Sequence, residues 1–492
     1  LNLVPPIRIT QATGHPVRAD GDHVLHWMNA FRRVGWNFSL QRAVEWANEL
    51  QKPLVVLEIL FCNTPWASDR FHKFIMEGMA ANLRSLQNTS ISYYPFVEEQ
   101  EGRGKALLRK LAQNACVVIT DDHPIHSSDQ MLHHITQDMN VLVEKIDSNG
   151  LLPLRVSERL FKTAQSFRRF LQSSLPVHLE HFPVAHCAED YAVSPSKYEP
   201  SDEIVEKWPP APAEVLHEGE PIPKAIPIDH EVFPVSMRGG SEAGEARLQH
   251  FVGSIMSQYK EKRNHPDEDG TSGLSPYLHF GHVSPHQVIS KVFSHQDWTP
   301  EKLGSKAQGQ KEGWWGMNEN AEAFLDELIT WREIGFNGCF LEKDHDKFQS
   351  LPPWAQTELL NHASDPRPYL YTPEELESAS THDRLWNAAQ TQLLREGKIH
   401  NYLRMLWGKK ILHWTKTPED ALHIMIHLNN KYALDGCDPN SYTGIFWVLG
   451  RYDRPWGPVR PVFGKIRYMS SKNTLRKIKV QEYLSRFGSS ET

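Results

Sequence analysis

The sequence predicts an α/β N-terminal domain built on a mostly parallel, Rossmann-like sheet, then a long connector, then an all-helical C-terminal domain. Three features of the chain point to it. Short apolar runs alternate with amphipathic stretches between residues 24 and 146, a Pro-rich acidic tract follows, and beyond Gly239 and Gly240 the apolar spacing is helical almost throughout. The expected divisions are residues 1–175, 176–238 and 239–492.

In the first division the runs VLHWM, LVVLEIL (54–60), ISYYPF (91–96), CVVIT (116–120) and VLVEKI (141–146) read as strands, and helical spacing fills the gaps between them. Ligands of such sheets bind at the carboxyl ends of the strands, yet neither GxGxxG nor GxxxxGK occurs. This domain therefore declares no chemistry of its own. The connector holds His178, His181, His186 and Cys187, whose spacing matches no standard site, and no metal is assigned. In the third division, helix starts are signalled by Ser, Thr or Asp and stops by Gly or Pro.

A chain of 492 residues with 40% hydrophobic and 23% charged residues can bury a large core. No stretch reaches the roughly 20 apolar residues of a membrane-spanning helix. The N-terminal LNLVPPIRIT has no basic region followed by an apolar core. The five cysteines are far apart and form no CxxC pair, which argues against a disulfide framework. The expectation is a cytoplasmic protein, nucleoid-associated if bacterial, with no membrane and no obligate protein partner. A net charge of −7 argues against coating nucleic acid through a globally basic surface. Locally the balance reverses, because Arg451–Val480 carries nine Lys or Arg against the single acid Asp453. Such a run is either a solvated face or a patch for phosphate. Most of the fifteen tryptophans lie after residue 290.

The segment GTSGLSPYLHFGHVSP (270–285) puts Ser275 at an N-cap and Pro276 at the first helical position. The free N–H groups of that helix start, with the Thr271 and Ser272 hydroxyls, suit a diphosphate, although capping alone accounts for Ser275 and Pro276. The run resembles the flavin-diphosphate segment of the photolyase and cryptochrome family, in which TSxLSPYLxxG is a specific signature. The resemblance extends over nearly the whole chain, most strongly from about 240 to 470. It implies FAD folded inside the helical domain, with Thr271, Ser272, Gly273, Leu274 and Ser275 along its phosphates.

In AFLDELITWREIGFN (323–337), Glu327 and Trp331 lie four apart, on one face of a helix. Residues 381–457 resemble class II photolyases nearly throughout. By that resemblance Glu327 hydrogen-bonds a thymine dimer, and Trp331, Met405 and Trp447 line the lesion pocket. Trp407, Trp386 and Trp414 form an electron-transfer triad, with Trp414 towards the surface. Arg404 and Asp435 form an ion pair beside the flavin, Asn429 approaches its N5, and Tyr259 contacts it. Arg263 faces DNA, and Arg454 is a wedge or backbone contact. Trp407 and Trp414 are two turns apart, about 10.5 Å along a helix. Without the resemblance, tryptophans at this spacing read as core, and Arg404 with Asp435 as a structural salt bridge. The chain departs from the family at Cys437, where DGRDPN is common, at Leu406 in place of the Tyr of RMYW, at Asn401 in place of Gly, and in a shorter loop after Trp447.

The function implied is light-driven repair of cyclobutane pyrimidine dimers in UV-damaged DNA by electron transfer from reduced FAD. Class II relatives further suggest a deazaflavin-type antenna in the N-terminal domain, for which the chain carries no specific motif. The alternatives are a cryptochrome-type photoreceptor, which a long C-terminal extension would favour, a (6-4) photolyase, for which His400 alone does not suffice, and a cofactor-free helical DNA-binding protein.

Overall fold

The computed structural model describes residues 3–125, 134–137, 139–190, 197–216 and 221–488. Packing divides it into two units. One comprises Leu1–Glu158, Ser174–Gln249 and Leu274–Ser294; the other comprises Arg159–Ser173, His250–Gly273 and His295–Thr492.

The first unit holds a six-stranded sheet of β1 (Ile9–Gln11), β2 (His23–Met28), β3 (Leu54–Leu60), β4 (Ser92–Val97), β5 (Ala115–Asp121) and β6 (Val143–Ile146). Their order is β1-β6-β5-β2-β3-β4, and every pairing is parallel except β1 with β6. The five expected strands are present. The short edge strand β1 was not foreseen, because three residues are too few to show a period of two. It is held through Arg8, whose buried guanidinium donates to the carbonyls of Asp147, Gly150 and Leu151 at 3.1, 3.1 and 2.7 Å.

Continuous apolar runs form these strands because both faces of the sheet are covered. Leu25, Trp27, Val55, Leu57 and Ile59 enter one core, while Val24, Met28, Leu54 and Val56 enter the other. Helices α1 (Phe38–Leu50), α2 (Asp69–Leu86) and α3 (Arg103–Ala112) cross over between successive parallel strands. Asn37 caps α1 by accepting from the N–H groups of Ser39 and Leu40. Glu58 interrupts β3 with a fully buried carboxylate, which is tolerated because Arg32, Asn82 and Tyr93 donate to it at 3.0, 2.9 and 2.6 Å.

The second unit is helical. It includes α4 (Glu319–Leu325), α5 (Arg332–Leu341), α6 (Arg384–Glu396), α7 (Asn401–Trp414), α8 (Pro418–Tyr432) and α9 (Pro439–Val448). Thr417 and Asp438 cap α8 and α9, each followed by Pro at the first helical position, and Gly397 closes α6 in the left-handed conformation at φ 66°. Gly408 lets α7 pack tightly. A Cβ there would stand 2.7 Å from Val448 Cγ2 on α9 and 3.0 Å from Met425 Sδ on α8. Trp386, Trp407, Trp414 and Phe446 are among the largest fully buried side chains. None of the five cysteines forms a disulfide.

Candidate functional site

Between α4 and α5 the backbone runs as a π-helix over Asp326–Trp331. Wide turns of this kind concentrate at functional sites. The four-residue step from Glu327 to Trp331 is therefore made on a π turn and not on an ordinary α-helix. The Glu327 carboxylate is ion-paired with Arg263, with Nη2 2.5 Å from Oε1. Both side chains keep partial access to solvent. The Arg263 guanidinium also lies 5.4 Å over the ring of Tyr259. Burial works to lower the Arg263 pKa, but Glu327 and Tyr259 outweigh it and hold it above the usual range. Burial, then the charge of Glu327, pushes the Tyr259 phenol well up. Tyr259, Arg263 and Glu327, 68 residues apart at the extremes in sequence, thus form one cluster.

The expected diphosphate segment begins differently from its sequence reading. The helix spans Ser275–His279 with Leu274 as N-cap, so Ser275 is the first helical residue, and no side-chain cap bond forms. Leu274 holds φ −90° and ψ −12°, which shifts the start one residue earlier than Ser275 and Pro276 suggested. Thr271, Ser272 and Gly273 belong to the helical unit, Leu274 and Ser275 to the other. Gly273 takes φ 66°, a left-handed conformation that favours glycine. Gly270 approaches Lys262 so closely that a Cβ would lie 2.5 Å from its carbonyl carbon.

On α7, Arg404 reaches Asp435 through one nitrogen, Nη2 lying 3.0 and 3.3 Å from the two carboxylate oxygens. Its Nε is buried and meets no hydrogen-bond partner among the described residues. A buried donor of this kind calls for an acceptor, and a flavin ring carbonyl or anionic ring edge supplies one. The residues present therefore fit a flavin. Asn429 is 1% exposed; its amide nitrogen donates to Ser441 Oγ at 2.5 Å and to Asn430 Oδ1 at 3.2 Å. Ser441 and Asn430, which orient it, were not foreseen.

The three tryptophans form a continuous buried line. Trp407 Nε1 donates to Gln390 Oε1 at 2.9 Å, and Trp386 Nε1 donates to the carbonyl of Trp407 at 3.0 Å. The rings of Trp386 and Trp414 stand edge to face at 5.6 Å. Trp414, expected towards the surface, is itself only 1% exposed and lies just beneath solvent-facing residues. Tyr371 and His382, from the chain preceding α6, cover it with ring centroids 5.4 and 5.3 Å away.

Met405 and Trp447 come from α7 and α9. A Cβ on Gly444 would lie 3.7 Å from Met405 Cε, and α5, which follows Trp331, packs along α9 through Gly335. Trp447 sits under two cations missed by sequence reasoning, Lys409 Nζ at 5.2 Å and the Arg467 guanidinium at 5.3 Å. Lys409 is wholly buried, donates to the Val448 carbonyl at 2.5 Å, and is brought down by burial to about 7. Its neighbours in sequence, Gly408 and Lys410, carry no signal of that burial. His400 is likewise pushed down by burial, to about 4.

The basic run is neither a uniform solvated face nor a uniform patch. Arg451 turns inward over the Phe446 ring at 3.7 Å and donates to the His345 carbonyl at 3.0 Å. Arg467 pairs with Asp453 at 2.8 Å and stacks on Trp456 at 3.9 Å. Arg454, Arg460, Lys465, Lys472, Arg476, Lys477 and Lys479 are exposed. Among the family departures, Cys437 takes a left-handed φ of 58°, and its N–H donates to Asn430 Oδ1 at 3.0 Å. Leu406 is buried and Asn401 exposed.

The chain is 32% identical over 480 residues to the deoxyribodipyrimidine photolyase of Methanothermobacter thermautotrophicus, covering 97% of each chain. It is 32% identical to that of Potorous tridactylus, over 93% of this chain and 80% of the relative. Among solved structures it is similar in fold to a bacterial class III photolyase from Agrobacterium tumefaciens, with TM-score 0.67, 18% identity and coverage of 95% and 86% of the two chains. A Synechocystis cryptochrome gives TM-score 0.66 at 17% identity, covering 95% and 88%. No family model matches the chain.

Proposed function

The chain belongs to the deoxyribodipyrimidine photolyase family, and from that membership we propose that it repairs cyclobutane pyrimidine dimers in DNA with light, as a class II enzyme using reduced FAD. The observation that carries the reading is Arg404. Its buried Nε, unpartnered among the described residues, stands one helical turn before Trp407, whose backbone carbonyl accepts from the Trp386 indole, which in turn meets the Trp414 ring. Reduced FAD, when bound, supplies the excited-state electron that opens the cyclobutane ring and takes it back afterwards.

The chain's own residues hold, orient and insulate. Arg404, balanced by Asp435, offers positive charge and a donor to the ring edge, while Asn429, Tyr259 and the segment Thr271, Ser272, Gly273, Leu274 and Ser275 complete the cofactor contacts. Glu327 presents a carboxyl to the dimer, where it exchanges a hydrogen bond or a proton as the lesion gains charge. Arg263 fixes that carboxyl and faces the DNA. Trp331, Met405 and Trp447 wall the extruded lesion and exclude water, and Arg454 with the exposed basic residues after it meets phosphates. Trp407, Trp386 and Trp414 return electrons when the cofactor has become oxidised.

Illumination of flavin-loaded, reduced protein with a dimer-containing oligonucleotide tests this. Restoration of intact thymines supports the reading, and none, with flavin bound, sinks it. Signalling without repair would favour the photoreceptor, to whose fold the Synechocystis likeness also points. A deazaflavin-type antenna is part of the proposal and is tested by extracting chromophores from the purified protein. No helix among the described residues is long and apolar enough to cross a membrane. A cytoplasmic location, nucleoid-associated if bacterial, is likewise proposed.

A further inference from the structure

The tryptophan line, as built, ends inside the protein. Trp407, Trp386 and Trp414 are 2%, 0% and 1% exposed, so no reductant in solution can touch any of them. Nor does the line hold a base at its inner end. The indole N–H of Trp407 faces an amide oxygen and that of Trp386 a backbone carbonyl, and both are very weak proton acceptors. An indole that has lost an electron there keeps its proton and its charge, and the vacancy moves on.

At Trp414 the surroundings change. Lys410 Nζ lies 5.2 Å from its ring centroid, and a cation over the ring disfavours positive charge on it, even with Asp383 3.0 Å from that ammonium. Outside Trp414 lies a phenol with a base already in place. Tyr371 stands edge to face with Trp414 at 5.4 Å, and its backbone N–H donates to the Trp414 carbonyl at 3.2 Å. Tyr371 Oη is 2.6 Å from His382 Nδ1 and accepts the backbone N–H of His382 at 3.0 Å. In the tautomer that carries its hydrogen on Nε2, His382 Nδ1 accepts the phenolic hydrogen of Tyr371. Burial, then Lys410, lowers the His382 pKa against the pull of Asp383, which leaves the imidazole neutral and able to accept. Tyr369 stacks on His382 at 3.8 Å and is 48% exposed, so the cluster meets solvent.

We propose that Tyr371 is the terminal member of the electron path, oxidised by Trp414 while its phenolic proton passes to His382 Nδ1. The step balances. One electron moves from Tyr371 to the Trp414 radical cation, which becomes neutral indole. The Tyr371 O–H bond breaks, an N–H bond forms on His382, and the products are a neutral phenoxyl radical and an imidazolium. The original oxidant is photoexcited oxidised flavin at the inner end of the line. The vacancy then rests where an external thiol can fill it. This inference rests on the reading of Trp407, Trp386 and Trp414 as the electron line.

The test is electron paramagnetic resonance on illuminated, flavin-loaded protein, unlabelled and carrying ring-deuterated tyrosine. The expected wild-type signal is a tyrosyl radical whose hyperfine structure collapses on tyrosine deuteration. Y371F loses it and shows an indole radical instead. H382F, which keeps a flat ring but removes the base, loses most of it, Y369F retains it, and W414F removes both aromatic radicals. Flavin content and circular dichroism matching wild type certify each variant as folded. A wild-type signal from indole alone, or a tyrosyl signal that survives in Y371F, overturns the extension and leaves the tryptophan line standing. Absence of any aromatic radical in wild type overturns both.

Discussion

Arg263 Nη2 and Glu327 Oε1 stand 2.5 Å apart, joining residues 64 positions distant in sequence at the wide π turn of Asp326–Trp331. The side chains are 22% and 32% exposed, so the pair contributes at most about 1 kcal/mol to stability. In the proposed reaction its value lies in aiming a carboxyl. E327Q is expected to keep flavin and fold but to lose one charged hydrogen bond to the lesion, a loss of about 1.5–3 kcal/mol. Light-dependent repair should fall by roughly one to two orders of magnitude. Unchanged repair would remove Glu327 from the mechanism.

Removing Asp435 leaves Arg404 with an uncompensated charge. Breaking a fully buried pair costs about 3–5 kcal/mol, and the residual exposure of this one brings the expected loss for D435A to about 2 kcal/mol. Denaturant titration reads that loss. The purified variant should also retain less flavin, visible in its absorption spectrum.

Lys409 sets a pH dependence. Its pKa is near 7 in the folded protein against 10.5 in the unfolded chain, so between these values the unfolded state holds the extra proton. The stability of wild type relative to K409M should therefore rise as pH climbs from about 7 towards 10, and be lowest below pH 7, where the charged amine must be buried. Parallel unfolding curves for the two proteins isolate the effect from other titrating groups, and a flat difference would refute it.

Gly408 leaves no room for a methyl group between α7, α8 and α9. Overpacking at such a site costs about 1–3 kcal/mol, so G408A should unfold earlier in denaturant. Because Trp407 adjoins the glycine, its fluorescence should shift as well.

The exposed cations Lys472, Arg476 and Lys477 differ from the inward Arg451. Charge-neutral substitution of the three should weaken binding to damaged duplex and lower the salt slope by about 0.9 for each phosphate that is no longer neutralised. Substitution of Arg451 should instead destabilise the fold. An unchanged salt slope in the triple variant would take this surface out of the DNA interface.

The strands were readable because a sheet covered on both faces requires unbroken apolar runs, and LVVLEIL became β3 residue for residue. The edge strand β1 was not, since its place depends on pairing with β6, far along the chain, beside the contacts of Arg8. The Ser275 cap was misplaced by one position because Leu274 adopts a helix-like turn that composition does not encode. Gln390 was within reach of sequence reasoning, four residues after Trp386. Lys409 was not, because burial of an ammonium is decided by the helices around it.

The sequence by itself determined the α/β and helical segments, the glycine- and hydroxyl-rich loop before Ser275 and the placing of the tryptophans on helices, because periodicity, turn residues and motif spacing are local properties of the chain. Tertiary structure alone decided that Glu327 meets Arg263, that Lys409 lies buried against Trp447, and that Trp414 is sealed behind Tyr371 and His382. Those outcomes depend on desolvation and on contacts between side chains far apart in sequence, and neither quantity exists until the helices have packed.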